Sequence, residues 1–374
     1  MKISIITTTI HKPVLLEQYC LNLKKYGHQP KQVNFIVIGD KKTPAEVGGF
    51  CQNLSRKEGF EILYYDVPGQ LKYLERFPKL SAHLPFNSVM RRNIAFVLAY
   101  EQGVDVAITI DDDNFVTDSD FVSLHEIAGK QIKKNAVFSN SGWFNICQLL
   151  VEERNQRFYH RGYPMGQRTT AEAVFETKVA QGRVAVNAGL WLEEPDIDAV
   201  TRRDSNLRVL DATAQGKEGI LLDFGTWSPF NSQNTAVMRD AIPAYFLSPY
   251  VGRYDDIWAS YFLRKIVDHL GDYTHYGPPL VQQVRNQHDL NKDLSMESRG
   301  MEMTDRLVGL LRDIQLSKKD YASCYEELTM KIRDVITRID IFNEAEAACL
   351  KVVLDGMNIW SETFRLLHEN RKGI

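Results

Sequence analysis

The chain has 374 residues, of which 44% are hydrophobic and 25% charged, so it can bury a large globular core. Its net charge of -3 argues against a basic surface for nucleic acid or anionic membranes, and no apolar run approaches the roughly 20 residues of a membrane span. The start of the chain lacks the zones of a signal peptide, and the five cysteines have no CxxC spacing. A cytoplasmic protein without a zinc cluster is expected.

The N-terminal part alternates between strand and helix patterns. Strands are predicted over 3–9, 33–38 and 61–65, and a helix over 15–23. This alternation predicts a parallel, doubly wound sheet. Thr8 and Asp40 fall at strand ends, where a nucleotide base and ribose would bind, although such side chains can equally satisfy turns.

A segment rich in proline and glycine follows, and we expect residues 66–86 to be irregular. A helix is predicted over 87–102, with Arg91 and Arg92 near its start. Two arginines at a helix N-terminus suit recognition of a pyrophosphate, and a solvated basic turn is the equally weighted alternative.

The most informative stretch is the acidic cluster of Asp111, Asp112 and Asp113. It follows a largely apolar, β-branched run over 104–110, which predicts a buried strand that ends where the carboxylates begin. Asp111 and Asp113 could hold a divalent cation that also binds phosphate oxygens, while Asp112 would cap the turn or orient a partner on the substrate side. An acidic turn or a helix N-cap is the alternative.

Further strands are predicted over 136–139 and 184–192, and residues 152–184 read as polar and uneven. The second strand carries Asn187, Gly189 and Trp191, which we assign to substrate binding. Glycine permits close approach of a ligand and tryptophan can cover a sugar face, although core packing of Trp191 is the alternative.

A second polar cluster spans 228–262 and includes Asn234, Asp255 and Asp256. The two acids start a predicted helix, where they could move a proton or bind sugar hydroxyls, or simply complement the helix dipole. Further on, Arg285 is a candidate substrate contact. His288 is a candidate third metal ligand, or an ordinary polar loop residue.

From about residue 301 the pattern becomes helical, with apolar stripes that predict an appendage packed on the catalytic part or on a second subunit. The expected organisation is a catalytic domain over 1–298 and a helical region over 299–374. A homo-oligomer formed through the C-terminal helices is one expectation.

Several motifs occur in the order of a known family. They are Asp111-Asp112-Asp113, Arg161-Gly162-Tyr163-Pro164, Gly189-Leu190-Trp191-Leu192, Asn234-Thr235-Ala236 and Gly252-Arg253-Tyr254-Asp255-Asp256-Ile257-Trp258-Ala259. The strand that runs into Asp-x-Asp resembles the GT-A-like, Rossmann-type fold of nucleotide-sugar glycosyltransferases. The whole set resembles the reversibly glycosylated polypeptides, which are flavin-independent UDP-arabinopyranose mutases first recognised in plants.

The resemblance implies an α/β fold with a nucleotide-sugar-binding mixed sheet flanked by helices. It also implies a nucleotide diphosphate sugar, pyranose–furanose interconversion, and Mn²⁺ or Mg²⁺ at Asp111 and Asp113. Arg161 takes the position of the arginine that is reversibly glycosylated in the family. We expect it to act by electrostatic contact, because a guanidinium stays protonated and is a poor nucleophile. No flavin is expected, since no GxGxxG follows the first strand.

The chain departs from the family pattern at three places, one of which is the region before the acidic cluster. Asn114 stands where the family usually has cysteine, and residues 282–294 diverge. These departures favour a divergent microbial member that acts on GDP-fucose over one that acts on UDP-arabinose. The main alternative function is a GT-A glycosyltransferase that passes the sugar to an acceptor, and a second is a non-catalytic scaffold.

Overall fold

The structure is a computed structural model that describes residues 1–169, 174–286, 289–338 and 341–372. The strands are β1 (Ile3–Thr8), β2 (Val33–Ile38), β3 (Glu61–Tyr65), β4 (Val106–Ile110), β5 (Asn114–Phe115), β6 (Gln131–Ser139), β7 (Leu150–Glu152), β8 (Phe175–Ala188), β9 (Trp191–Glu193), β10 (Val209–Ala212), β11 (Ile220–Leu222), β12 (Asn234–Met238), β13 (Tyr273–Tyr276) and β14 (Val281–Gln283). The helices are α1 (Leu15–Lys25), α2 (Val47–Glu58), α3 (Val67–Leu74), α4 (Pro78–His83), α5 (Arg92–Glu101), α6 (Phe121–His125), α7 (Ala199–Asp204), α8 (Ala214–Glu218), α9 (Asp255–Leu270), α10 (Leu290–Asp313), α11 (Tyr321–Arg338) and α12 (Glu344–Lys372).

A nine-stranded mixed sheet forms the centre, in the order β13-β11-β6-β8-β12-β4-β1-β2-β3. Strands β4, β1, β2 and β3 run parallel to one another, and β12 pairs with β4 in the antiparallel direction. The predicted α/β class with a mixed sheet flanked by helices is confirmed. Because β1, β2 and β4 are parallel, their carboxyl ends open at one edge of the sheet.

The parallel strands are almost entirely apolar because helices cover both faces of the sheet. Every residue of β2 and β4 is buried, and α5 packs on β1 and β2. A carboxylate in such a strand would lose its hydration, so β4 ends at Ile110 and the acidic cluster follows it. The core therefore fixes the position of the cluster.

At the other end of the large sheet, four strands pair in a closed circuit. Strand β13 pairs with β11 and also with the C-terminal half of β8, while β6 bridges β11 and the N-terminal half of β8. A second, five-stranded sheet has the order β5-β14-β9-β10-β7. It brings the segment around β14 next to Asn114, directly after the acidic cluster.

Two predictions of local structure are wrong. The segment 66–86 is not irregular but contains α3 and α4. Its Asp66 accepts a hydrogen bond from the backbone N–H of Gly69, and prolines lie in the first turns of both helices, where proline is tolerated. The polar segment 152–184 contains the first half of β8, whose exposed residues lack the apolar alternation by which strands are predicted.

The C-terminal helices pack on the rest of the chain. Trp360 of α12 lies 5.3 Å from the ring of Phe246, and Phe364 lies 4.8 Å from the ring of Tyr100. The expected domain boundary at residue 298 falls inside α10, and the division into two domains stays a prediction. Over the part of the chain that the structure describes, no helix has the length and apolar character needed to cross a bilayer.

Candidate active site

Two adjoining cavities open at the carboxyl ends of β1, β2 and β4. The first has a volume of about 440 Å³ and the second about 260 Å³. Val89, Asp111 and Asp113 line both, so the cavities meet at the acidic cluster. The first is also lined by Thr8, Thr9, Ile10, His11, Ile38, Gly39, Asp40, Asn87, Ser88, Arg91, Arg92, Asp112 and Asn286. The second is also lined by Met90, Arg161, Asp196, Ser232, Gln233, Gly252, Arg253, Asp255, Asp256, Gln283, Arg285 and Met296.

Each carboxylate of the acidic cluster has a different partner. Asp111 accepts a charge-assisted hydrogen bond from Nη2 of Arg92. Asp112 accepts one from the hydroxyl of Thr9 at 2.6 Å, and Asp113 accepts one from the side-chain amide of Asn114 at 2.8 Å. Asp111 and Asp113 are thus oriented on two sides by neighbouring side chains.

Negative charge in the cluster is only partly compensated. Burial, and then the charges of Asp111 and Asp112, raise the pKa of Asp113 to about 7, and burial raises the pKa of Asp112 above its ordinary value. Hard carboxylate oxygens crowded in this way are suitable donors for a hard divalent cation. The donor set at Asp111 and Asp113 therefore fits the predicted metal.

The third predicted ligand, His288, lies outside the described residues. Within those residues, no group of three or more His, Cys, Asp or Glu side chains is arranged to hold a metal ion. A cation at Asp111 and Asp113 would need its remaining oxygens from a diphosphate or from water, which is the usual way in which Mg²⁺ is bound.

Arg91 and Arg92 both lie under the first cavity. Arg91 is 1% exposed, donates from Nε to Gln70 at 2.6 Å and from Nη1 to the carbonyl of Leu84 at 3.3 Å. Its Nη2 is buried without a hydrogen-bond partner among the described residues. A buried guanidinium donor without a partner is available to an anion, so the structure favours the pyrophosphate role over a solvated basic turn.

The second cavity is built around Arg161. Its guanidinium donates to Asp196 from Nε at 2.9 Å and from Nη2 at 3.0 Å, to Asp256 from Nη1 at 3.1 Å and from Nη2 at 3.3 Å, and to the carbonyl of Arg253 from Nη1. These bonds use all five N–H donors of the side chain. We call Arg161, Asp196 and Asp256 the arginine–carboxylate network.

One arginine is shared by two carboxylates inside this network. Burial opposes the charge of Arg161, but Asp196 and Asp256 hold its pKa well above the ordinary value. Burial would likewise raise the pKa of the Asp196 carboxyl, but Arg161 and His160 hold it well below its usual range. A fully bonded guanidinium cannot attack an anomeric carbon without losing these contacts, so its present geometry positions two carboxylates.

Asp255 and Asp256 are adjacent in the chain and differ in their surroundings. Asp256 accepts four hydrogen bonds, two from Arg161 and two from the N–H and hydroxyl of Ser232. Asp255 accepts one from the backbone N–H of Asp256, and burial followed by the charge of Asp256 raises its pKa to about 7. Asp255 can therefore gain and lose a proton near neutral pH.

Ser232 joins the two cavities. Its carbonyl and hydroxyl oxygens accept from Nη1 of Arg92 at 2.7 and 2.8 Å, and its N–H donates to Asp256 at 3.0 Å. The acidic cluster and the arginine–carboxylate network thus form one hydrogen-bonded system. Ser232 and Asp196 carry no signal of this role in the sequence, since neither lies in a spacing that indicates a contact across the fold.

Three other predicted substrate contacts line the cavities. Thr8 and Asp40 lie in the first, where Asp40 accepts from the backbone N–H groups of Lys41 at 2.7 Å and Ser88 at 3.0 Å. Arg285 lies in the second and donates to Asp293 at 3.2 Å. Both carboxylates that the sequence assigned to catalysis also line the second cavity.

Asn187, Gly189, Trp191 and Asn234 line neither cavity, and their assignment to substrate binding stays a prediction. Trp191 is 4% exposed and packs edge-to-face on His160, with ring centres 5.4 Å apart. At Gly189 a Cβ would lie 2.5 Å from the amide of Asn234, so glycine is required there by internal packing.

Asn187 and Asn234 belong to a buried chain of hydrogen bonds. His275 Nδ1 lies 2.7 Å from Asn187 Oδ1, Asn187 Nδ2 lies 3.0 Å from His125 Nδ1, and His125 Nε2 lies 3.0 Å from Asn234 Oδ1. Burial lowers the pKa of both histidines to about 3, so they are neutral at physiological pH. The amides of Asn187 and Asn234 therefore bond to buried histidines of the same chain.

Comparisons with known proteins agree with the sequence motifs. Residues 17–365 match the model of the reversibly glycosylated polypeptide family. The chain is 25% identical to UDP-arabinopyranose mutase 1 of Arabidopsis thaliana, covering 99% of this chain and 94% of that protein. It is 27% identical to the probable UDP-arabinopyranose mutase 4 of the same plant, over 70% and 67% of the two chains.

Among solved structures, the chain is similar to S. aureus TarS in complex with UDP-GlcNAc. The TM-score is 0.44 at 11% identity, over 100% of this chain and 92% of that one. The family match covers nearly the whole chain and includes the acidic cluster and every residue that lines the second cavity. The chain belongs to the reversibly glycosylated polypeptide family.

Proposed function

We propose that the chain is a nucleotide-sugar mutase that interconverts the pyranose and furanose forms of its substrate with the help of a divalent cation. One observation carries the proposal: Asp111 and Asp113 line both cavities, so a diphosphate bound at their junction would place a nucleotide in one cavity and a sugar in the other. Membership of the family and the names of the two Arabidopsis relatives support the same activity.

The reaction sets two demands on the protein. The anomeric C–O bond breaks and leaves its electron pair on the β-phosphate, and the same bond later re-forms. In between, the C1–O5 bond of the ring is replaced by a C1–O4 bond, so one proton moves from O4 to O5. The site must therefore stabilise phosphate charge and carry a proton.

The first demand is assigned to the first cavity. Asp111 and Asp113 would hold Mn²⁺ or Mg²⁺, which would neutralise the diphosphate when bound. The free Nη2 of Arg91 would donate to a phosphate oxygen, because it is buried and has no partner in the described part of the protein. Arg92 would hold Asp111 in place from the other side.

The second demand is assigned to Asp255. It lines the second cavity, it is buried, and its raised pKa lets it accept a proton from O4 and return it to O5. Asp256 would accept from a sugar hydroxyl while Arg161 holds Asp256 through two hydrogen bonds and places its positive charge beside the sugar. We propose no covalent bond between Arg161 and the sugar, since all its donors are used by the protein.

For the substrate itself, the departures at Asn114 and over 282–294 keep GDP-fucose ahead of UDP-arabinose. Asn114 bears on this because its amide orients Asp113, so the metal site differs in detail from one that has cysteine there. The nucleotide cavity is the part of the site that must discriminate guanine from uracil.

A panel of donors tests the proposal. Purified protein is incubated with Mn²⁺ and GDP- or UDP-linked sugars without an acceptor, and the products are separated by chromatography. A mutase converts a donor to its furanose isomer and leaves the nucleotide attached. A donor that stays intact alone and is consumed only after an acceptor is added would indicate a glycosyltransferase. Failure to bind any donor would indicate a scaffold.

A further inference from the structure

Among the described residues, the N-terminal half of β8 has a paired strand on one edge only. Residues 175–183 pair with β6 on one side, whereas the later residues of β8 pair with both β12 and β13. Over the described ranges, the other edge strands of the two sheets are shorter: β3 has five residues, β5 two and β7 three. Unpaired backbone N–H and C=O groups on such an edge can bind another strand.

This edge also carries exposed apolar side chains. Val174 and Val179 are 61% and 62% exposed, and Phe175 and Phe138 are 39% and 38% exposed. Natural edge strands are usually short, charged or covered, because apolar edges associate. The hairpin of β6 and β8 therefore has the features of a contact surface.

We propose that this edge pairs with the same edge of a second copy of the chain, antiparallel and about a two-fold axis at Thr177. In that register Phe175 lies opposite Val179 of the second copy, so that exposed apolar side chains cover each other. An interface made by one surface patch with itself is the commonest form of homodimer.

Charge supports the same register. Glu176 and Lys178 are exposed neighbours on one face of the strand, and the two-fold axis places each Glu176 opposite Lys178 of the second copy. Lys178 also forms an ion pair with Asp223 at 2.6 Å, but 64% of its side chain remains exposed for a second partner. Opposite charges directly across an antiparallel pair are stabilising, and like charges are destabilising.

The apolar stripe of α12 is less suitable for a second copy. Leu350, Val353, Trp360 and Phe364 are each at most 2% exposed, because they are already buried against the rest of the same chain. An oligomer formed through these helices would have to use their polar faces. The β8 edge, by contrast, carries apolar side chains that the described residues leave exposed.

Charge reversal tests the register. The full chain and the variants Glu176→Lys and Lys178→Glu are compared by light scattering and sedimentation over a range of concentrations. The wild type is expected to dimerise, and each single reversal to raise the dissociation constant at least about tenfold, because two attractive pairs become repulsive. Mixing the two variants is expected to restore the dimer, because opposite charges then meet at both ends of the pairing.

The mixture separates lost pairing from lost folding, since two misfolded variants would not rescue each other. Lys133→Glu, an exposed reversal on β6 away from the free edge, is the matched control and should leave the dimer intact. A monomeric wild type, a dimer that neither reversal weakens, or two monomeric variants that do not associate on mixing would each overturn the proposal.

Discussion

The acidic cluster and the arginine–carboxylate network are both built from adjacent aspartates and an arginine, but their internal charge balance differs. In the first, the described residues supply one salt bridge to the three carboxylates Asp111, Asp112 and Asp113, from Arg92 to Asp111. In the second, Arg161 spans two carboxylates and uses every donor it has. The acidic cluster thus keeps negative charge that the described residues do not neutralise, whereas every guanidinium donor of the arginine–carboxylate network is used.

This difference indicates what each site can do. A group of carboxylates without enough internal cations is suited to an external cation, whereas a closed ion-pair network fixes geometry. Asp255 is adjacent to Asp256 in the chain but is not one of the three residues of the arginine–carboxylate network. The predictions below test this division, in order of the expected effect on turnover.

The largest effect is expected for Asp113→Asn. Loss of one metal ligand should lower the rate of furanose formation by about 10³-fold and weaken Mn²⁺ binding in the presence of the nucleotide sugar. Turnover by chromatography and Mn²⁺ affinity by calorimetry are the measurements. Asp118→Asn is the control, because Asp118 is a nearby exposed acid paired with Lys25 outside both cavities. Unchanged turnover of Asp113→Asn would show that the cluster holds no catalytic metal.

A smaller loss, about 10²-fold, is expected for Asp255→Asn, since general acid–base groups contribute about this much. The free energy of unfolding of this variant should, in contrast, rise. The folded pKa of Asp255 lies above its unfolded value, so this carboxyl destabilises the wild type progressively as the pH rises from about 4 to about 7. Removing it should raise the free energy of unfolding at pH 8 by about 1–3 kcal/mol.

Thermal unfolding of Asp255→Asn and wild type at pH 5 and pH 8 measures this. The gap between the two proteins should widen towards pH 8. Asp256→Asn is the matched comparison: it removes an acceptor of four hydrogen bonds and should destabilise the protein at both pH values. If Asp255→Asn behaved like Asp256→Asn, the two carboxylates would not have separate roles.

Arg161→Lys is expected to lower turnover per folded molecule by about 30-fold, because the lysine cannot hold Asp256 and Asp196 together. It should also lower the free energy of unfolding by about 3–5 kcal/mol, since Asp196 would be left buried with fewer partners. Arg168→Lys is the control: Arg168 pairs with buried Asp198 at 2.7 Å and lines neither cavity. That variant should lose stability but keep its turnover, and full turnover of Arg161→Lys would exclude a role in catalysis.

The sequence predicted the parallel strands and the position of the acidic cluster because both follow from local rules. A buried strand must end before three carboxylates, and parallel strands place their carboxyl ends together. The pairing of Arg161 with Asp196 and Asp256 could not be predicted in this way. Residues far apart in the chain meet there, and only the fold shows which donor reaches which acceptor.

Other expectations from the sequence meet the same limit. Asn187 and Asn234 were assigned to substrate because polar side chains at strand ends often face a ligand, yet here two buried histidines satisfy them. The sequence contains no local signal for that partnership. In α3 and α4, prolines were interpreted as breaking regular structure when they begin it.

Trp191→Phe should have almost no effect on turnover, and it tests the boundary of the site. Trp191 packs edge-to-face on His160, its indole N–H is buried without a partner in the described residues, and it lines neither cavity. Phenylalanine keeps an aromatic edge and removes the unsatisfied donor. The packing that is lost and the desolvation penalty that is relieved should nearly cancel, so the free energy of unfolding should change by less than about 1 kcal/mol. We expect kcat/KM within about twofold of wild type. If a sugar stacked on the indole, the substitution would instead raise KM about tenfold. That result would show that the substrate site extends to β9 and includes Trp191.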